Sequence, residues 1–225
     1  MEILKHIPVK LDLDEIKKEL HMKEGGEWGN VKALVDEAYP FIRARAVYRR
    51  CYIELKDENA IMIDGIRLTS RVLRKHTDGV ELVFPYAVTI GSELEEKARG
   101  CKDILKQYYL DMVGNIALIS ARKYLEDQLR TRYALGCISY MSPGSLKDWR
   151  LDEQRPLFTI LGDVEASIGV SLTKSLLMIP KKSLSGIYFP TEIPFYSCQL
   201  CPRKNCASRK AKYNERLAME HGIQE

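Results

Sequence analysis

The sequence lacks the short motifs that mark common self-contained enzymes. It contains no Walker loop, no GxGxxG, no GxSxG and no HExxH, so no motif predicts a kinase, a serine hydrolase or a zinc protease. Its 4 histidines are scattered without nearby partners. We therefore expect a protein whose chemistry is carried by a cofactor or by another protein.

Long apolar runs are also missing. No run approaches the ~20 residues that span a bilayer, and the N-terminus MEILKHIPVKLDLDE has no apolar signal core. We therefore predict a cytoplasmic protein with no membrane partner. In a reducing compartment, the 6 cysteines are expected to be thiols or metal ligands rather than disulfides.

A strong charge of one sign is absent. The chain has 35 Lys and Arg against 31 Asp and Glu, a net charge of +4, which is too balanced to predict nucleic-acid binding. The C-terminal tail is locally basic, because the stretch from Arg203 to Arg216 holds six basic residues and the single acid Glu215.

The first half of the chain is rich in strand signals. Residues 46–55, 60–63 and 80–90 predict strands. Pro85 cannot donate to a ladder, so we expect a bulge or an edge position there.

One long helical segment follows at residues 92–134. Ser92 and Glu95 have the spacing of a capping box, and Gly100 should weaken or break the helix. Its apolar positions cover a wide arc, which predicts burial against a sheet.

Strands at 137–141, 170–178 and 187–189, with a short helix at 152–161, complete the pattern. The fold class predicted is α+β, with a largely antiparallel twisted sheet and the long helix packed on it. Three parts are expected: residues 1–91, which form an N-terminal α/β part of the same domain, residues 92–190 with the ligand or docking region, and a cysteine-containing basic tail at 191–225.

Two segments between residues 140 and 190 have the chemistry of a binding site. Ser142-Pro143-Gly144 is a turn at which backbone amides can approach a ligand. Lys181, Lys182, Ser183 and Ser185 place charge and hydroxyls around a second predicted turn ending at Gly186, and such a set can bind a carboxylate or a phosphate. Two ordinary turns between strands are the alternative.

The order of motifs in this region resembles a known family. A PG turn is followed by Asp152-Glu153-Gln154, by IG-x-x-LT-x-S from Ile168, and by M-x-P-x-x-S-x-SG-x-x-F from Met178. The combination is similar to the activation domain of cobalamin-dependent methionine synthase in its stand-alone form. The likeness is best over residues 136–189, and the long helix and overall length agree with it.

The resemblance implies a role and a set of partners. Such a domain binds S-adenosylmethionine beside a cobalamin carried by its partner, a methionine synthase or another corrinoid protein. Reduction of cob(II)alamin by a flavodoxin-like donor, with methyl transfer from S-adenosylmethionine, restores methylcobalamin. The chain would then be an accessory component of a methyltransferase in methionine biosynthesis, and no catalytic residue is assigned to it.

The resemblance also implies site residues. In the family's ligand motif, Arg-x-x-Pro-Gly-Tyr, Pro143 and Gly144 match, while Tyr140 stands at the Arg position and Ser145 at the Tyr position. An acidic residue that the family places on the long helix aligns with Ile119 or Ser120. The expected cofactor-binding residues are Tyr140, Pro143, Gly144, Ser145, Lys182, Ser183, Ser185 and Gly186. Lys174, Lys181 and Lys182 are candidates for a substitute cation.

The tail carries a separate signal. Cys198, Cys201 and Cys206 place three thiols within nine residues, a spacing that can converge on one metal. Four-coordinate zinc and an iron–sulfur cluster both suit thiolate ligands, with Cys137, Cys51 or Cys101 as a fourth ligand. Free or redox-active thiols are the alternative. A second hypothesis for the whole chain follows, a metal-knuckle module whose basic tail contacts nucleic acid or an acidic protein.

Overall fold

A computed structural model of the chain describes residues 1–19, 28–206 and 209–223. The strands are β1 (Glu2–Leu4), β2 (Arg45–Tyr48), β3 (Cys51–Tyr52), β4 (Leu55–Lys56), β5 (Ala60–Ile63), β6 (Ile66–Thr69), β7 (Leu82–Thr89), β8 (Ile138–Met141), β9 (Ser171–Leu172), β10 (Met178–Ile179) and β11 (Ser183–Pro190). The helices are α1 (Leu13–Glu19), α2 (Trp28–Ala38), α3 (Arg71–His76), α4 (Glu93–Arg99), α5 (Ile104–Arg132), α6 (Gln154–Leu161), α7 (Val164–Ile168) and α8 (Glu215–Glu220).

The main sheet is antiparallel, in the order β1-β2-β7-β11-β8, with β3 also paired to β7. β7 and β11 are interior strands of this order, and both are buried along nearly their whole length. Strands from residues 1–91 and 92–190 therefore share one sheet. The predicted α+β class with a largely antiparallel sheet is confirmed.

Pro85 lies in the central strand β7, and its effect is local. On the β11 side it is opposite Ile187. On the other side, pairing is interrupted at Arg49 and Arg50, between β2 and β3, and Arg49 N–H donates to Pro85 O at 3.0 Å. The missing donor of Pro85 is accommodated by this gap in the ladder, without an edge position.

The predicted helical segment is two helices. Gly100 is the C-cap of α4, and Asp103 caps α5 by accepting from the backbone N–H groups of Leu105 and Lys106 at 2.9 and 3.2 Å. The predicted capping box is wrong: Ser92 is the N-cap of α4, but its side chain makes no cap hydrogen bond.

Hydrophobic residues pack against both faces of the sheet. α5 covers one face, where Tyr48, Tyr86, Val88 and Tyr188 of the sheet pack with the helix's buried stripe. On the other face, α3, α6 and the C-terminal Leu200 and Ala218 pack around the fully buried Trp149. The face covered by α5 also carries the end of β8, where the predicted site begins.

Candidate functional site

The predicted Pro-Gly turn directly follows the edge strand β8. Gly144 has φ +80°, a value that favours glycine, and its N–H donates to Trp149 O at 2.7 Å. The Ser145 hydroxyl donates to Ser142 O at 2.6 Å. Pro143 is buried, while Gly144 and Ser145 are exposed, so the turn presents its tip to solvent.

The second predicted turn is instead the first half of strand β11. Ser183 to Gly186 pair with β7 from Thr89 back to Tyr86. This correction has a physical reason: the backbone pairs with β7, and the buried Ser183 hydroxyl is hydrogen-bonded with Pro180 O at 2.7 Å and with Thr89 Oγ1 at 2.9 Å, so it is not left unsatisfied.

Gly186 brings the two motifs together. A Cβ built on Gly186 would lie 2.9 Å from Ser142 Oγ and 3.1 Å from Tyr86 Cε1, and closer still to Met141 O. Only a residue without a side chain allows the end of β8 to pass this close. The turn at Pro143-Gly144 and the glycine of the second motif are therefore neighbours, as the predicted site requires.

Ser183 and Ser185 do not share that face. Side chains alternate along a strand, so Leu184, Gly186 and Tyr188 face α5, while Ser183 and Ser185 face the opposite core. Ser185 is 2% exposed, and its hydroxyl has no hydrogen-bond partner among the described residues. The structure does not bring these two hydroxyls to the Pro143-Gly144 turn.

Lys182 lies on the α5 face, and its charge is compensated there. Its Nζ is 2.7 Å from Asp111 Oδ1 and 2.7 Å from Asn115 Oδ1. It borders a cavity of about 160 Å³ between α4 and α5. Lys181 is paired with Glu95 at 3.4 Å, and Lys174 is exposed.

Tyr140, at the position where the family motif has arginine, lies between two cations. Arg122 of α5 places its Cζ 4.2 Å from the centre of the Tyr140 ring. Lys210, from the C-terminal tail, donates to Tyr140 Oη at 2.7 Å, and its Nζ is 5.3 Å from the ring centre. Positive charge is therefore present beside Tyr140, although it comes from two other segments.

Arg122 belongs to a buried polar cluster. It is 6% exposed and donates to Glu126 Oε2 at 2.8 Å and to Tyr188 Oη at 3.0 Å. Burial alone would lower the pKa of Arg122, but interactions with Tyr188, Tyr140, Tyr86 and Glu126 outweigh it and raise the pKa. The guanidinium is a permanent charge inside the α5 face.

Tyr86 forms the inner wall of the site. Its ring stacks on Tyr188 at 4.5 Å between centroids. Burial raises its pKa, and the opposing influences on that pKa include the nearby Ser142 hydroxyl. No hydrogen bond of ordinary geometry reaches Tyr86 Oη from the described residues, so a polar atom is left over next to Gly186.

Sequence reasoning missed both cations beside Tyr140. Arg122 carries a signal in the sequence, because it is a charged residue inside the apolar stripe of α5, between the buried Ala121 and Leu125. Lys210 carries none, because one lysine in a basic tail resembles the others.

The three tail cysteines lie on a loop organised by an arginine. Arg209 donates to the backbone carbonyls of Cys198 at 3.2 Å and Cys201 at 3.3 Å, and also to Arg203 O. All three thiols are free. In the parts of the chain that the structure describes, no group of three or more His, Cys, Asp or Glu side chains could hold a metal ion, so the geometry does not support the predicted zinc or iron–sulfur site at Cys198, Cys201 and Cys206.

The architecture and the adjoining motifs define a class of protein. A central antiparallel sheet, one long helix across one face and a Pro-Gly turn beside a strand glycine form an α+β domain of the methionine synthase reactivation fold. A solved structure of this fold, described as the MetH reactivation domain bound to AdoHcy, matches with a TM-score of 0.58 and 15% identity over 87% of this chain and 81% of that chain.

The sequence itself points to the same family. Residues 141–212 match the family model described as vitamin B12 dependent methionine synthase, activation domain. The match begins at the end of β8 and includes the Pro143-Gly144 turn, β11, the three tail cysteines and Lys210. The resemblance predicted from the motifs is confirmed. No curated protein matches the chain.

The structure also bears on membrane association. Within the described ranges, no helix combines the length and the apolar character needed to cross a bilayer.

Proposed function

We propose that the chain is a reactivation partner of a cobalamin-dependent methionine synthase or a related corrinoid methyltransferase, acting in the cytoplasm. The observation that carries the proposal is the close approach of Ser142 and Gly186, which joins the two family-like motifs on one face of the sheet. The family match over residues 141–212 and the shared fold support it.

The ligand of the site is S-adenosylmethionine. The related solved domain holds AdoHcy, the same molecule without its transferable methyl group. The residues here fit a ligand of that kind, because Gly144 and Ser145 offer an exposed turn whose backbone a ligand can approach closely, and the half-buried Ser142 lies directly before it.

The residues present suit a chain that positions the ligand, while the ligand and the partner's cobalamin carry the chemistry. When bound, S-adenosylmethionine supplies the methyl group for cobalt reduced by a flavodoxin-like donor, which returns cob(II)alamin on the partner to methylcobalamin. The chain orients the ligand and presents it to the partner, so its contribution is positioning. The turn tip at Gly144 and Ser145 is the docking edge, because it is exposed beside the ligand-contacting face.

The test is a recovery assay. A cobalamin-dependent methionine synthase that lacks its own activation domain is brought to the cob(II)alamin state and mixed with the chain, a flavodoxin-type reductant and S-adenosylmethionine. We expect the visible spectrum of methylcobalamin to return only when all components are present. No recovery, together with no complex on size exclusion, would reject the proposal.

A matched pair of variants locates the docking edge. Ser145→Trp adds bulk to the exposed turn and should slow recovery at least tenfold, because disrupting the centre of an interface weakens binding by about 1.4 kcal/mol or more. Glu165→Trp adds the same bulk to the exposed face of α7, a helix that packs in a separate hydrophobic cluster, and should leave recovery unchanged. Equal effects of the two variants would place the docking edge elsewhere.

A further inference from the structure

The C-terminal tail reaches the edge of the main sheet at one point. Lys210 Nζ lies 2.7 Å from Tyr140 Oη, and Tyr140 is on the strand that leads directly into Ser142 and the Pro143-Gly144 turn. The tail therefore places an ammonium group at one end of the candidate ligand site.

The position of Lys210 is set by the loop behind it. The neighbouring Arg209 holds the carbonyls of Cys198 and Cys201, and Lys210 N–H donates to Cys198 Sγ at 3.5 Å. A free lysine side chain loses up to ~2 kcal/mol of rotamer entropy when it is fixed. The backbone anchoring and the Tyr140 contact already restrict the Lys210 side chain, so binding of a ligand costs less rotamer entropy.

The two cations beside Tyr140 differ in whether their charge is paired with a carboxylate. Arg122 is buried and already bonded to Glu126 and Tyr188, so it fixes the ring from the inner side. Lys210 is exposed, and among the residues that the structure describes no carboxylate forms an ion pair with it. The unsatisfied charge is the one that faces solvent.

Lys210 and Tyr140 together present donors suited to one kind of anion. An ammonium carries three N–H donors and a phenol carries one O–H donor, so each can bind one oxygen of a carboxylate. One ammonium balances the single charge of a carboxylate but only half that of a phosphate dianion, and Arg122 is already committed to Glu126 and Tyr188. The pair is therefore matched to a singly charged carboxylate.

We infer that Lys210 and Tyr140 bind the carboxylate of the ligand's amino-acid portion, so that the C-terminal tail supplies the cation that the main site lacks. This inference rests on the proposed function, because it assigns one end of the same ligand. Arg122 is a positioning residue in it, since it acts on the ligand only through Tyr140.

The experiment separates the two ends of the ligand. Calorimetry on the full chain compares S-adenosylhomocysteine with 5′-methylthioadenosine, which lacks the amino-acid portion. Lys210→Met should weaken binding of S-adenosylhomocysteine roughly tenfold or more, the effect of losing one charge-assisted hydrogen bond, and leave 5′-methylthioadenosine unchanged. Lys210→Arg should retain most of the affinity.

Two further variants complete the test. Tyr140→Phe keeps the ring over Arg122 and removes one donor, so it should lower only the affinity for S-adenosylhomocysteine. Lys212→Met removes an exposed lysine of the same tail and should change neither ligand. Thermal melting confirms that all variants are folded.

The outcomes distinguish this inference from the proposed S-adenosylmethionine site on which it rests. If S-adenosylhomocysteine binds equally to the wild type and to Lys210→Met, or if Lys210→Met weakens both ligands alike, the inference is wrong while the ligand site stands. If neither ligand binds the wild type, the proposed ligand and this inference fail together.

Discussion

Gly186 lies against Ser142 with no side chain between them. A Cβ on Gly186 would be 2.9 Å from Ser142 Oγ, closer than a Cβ atom normally approaches any neighbouring heavy atom. The two residues come from motifs that are far apart in the sequence, and strand pairing of Ile187 with Met141 brings them together. The geometry of the candidate site depends on this one close approach.

Replacing Gly186 by alanine should therefore strain the site. We expect Gly186→Ala to lower the free energy of unfolding by about 1–3 kcal/mol, because the added methyl group forces β8 away from β11. Denaturant titration measures the change. Gly79→Ala is the control, since a Cβ on Gly79 meets nothing within 4 Å. Equal stability of both variants would show that the packing at Gly186 is loose.

Asp148 connects the loop after the Pro-Gly turn to the N-terminus of helix α3 by hydrogen bonds. Its carboxylate is 6% exposed and accepts from Ser70 Oγ at 2.5 Å, Val72 N at 3.0 Å and Arg71 Nε at 3.3 Å. Asp148→Ala leaves these donors without their acceptor and should cost about 2–4 kcal/mol. A fall in the melting temperature checks this.

The control for Asp148 is Asp127→Ala, which removes an exposed acid on α5. It should change the free energy of unfolding by less than about 0.5 kcal/mol. If Asp148→Ala lowers the free energy of unfolding by no more than Asp127→Ala does, water replaces the Asp148 carboxylate as hydrogen-bond acceptor without loss of stability.

His76 and His221 should make stability depend on pH. Their rings stack at 4.9 Å, and Phe195 stacks on His76 at 3.7 Å. Burial, followed by the charges of His221 and Lys75, lowers the pKa of His76 from 6.5 to about 4. The pKa of His221 is also lowered by burial and by Lys75, against the opposing charges of Asp148 and Glu220.

The unfolded chain binds these protons more readily than the folded chain, so stability falls as pH decreases from about 6.5 to about 4. We expect His76 to contribute about 2 kcal/mol of this loss, after allowance for its partial exposure. Denaturation midpoints across that range measure it. His76→Phe should flatten the slope, and His6→Gln, an exposed control, should not. An unchanged slope in His76→Phe would contradict the prediction.

Arg209 should protect the tail thiols. Its guanidinium donates to the carbonyls of Cys198, Cys201 and Ala211, which closes the loop around it. Arg209→Ala should open this loop and raise the alkylation rates of Cys198 and Cys201 roughly tenfold, the effect of a change of about 1.4 kcal/mol in local opening. Mass spectrometry of alkylated peptides gives the rates.

The alkylation measurement has two controls. The alkylation rate of Cys51, which is 3% exposed, should not change, because its burial belongs to the core. Lys212→Ala should leave all rates as in the wild type. If Arg209→Ala behaves like Lys212→Ala, the arginine does not hold the loop.

The sequence alone determined the main elements of the fold and the family resemblance. A short, nearly continuous apolar run predicts the strand at 80–90, and apolar residues at three- and four-residue spacing predict the long helix beyond Gly100, because each spacing lets the segment bury its apolar side chains. The Pro143-Gly144 turn could also be predicted from the sequence, since its backbone conformation is favoured by those two residue types.

Only the tertiary structure decided which of the candidate residues meet. Whether Ser183 to Gly186 formed a turn or a strand depended on pairing with β7, and the side of the sheet on which Ser185 and Gly186 lie followed from that register. The contacts of Arg122 and Lys210 with Tyr140 join three segments distant in sequence. Local preference says nothing about such contacts, because they arise when the chain folds back on itself and packing selects the partners.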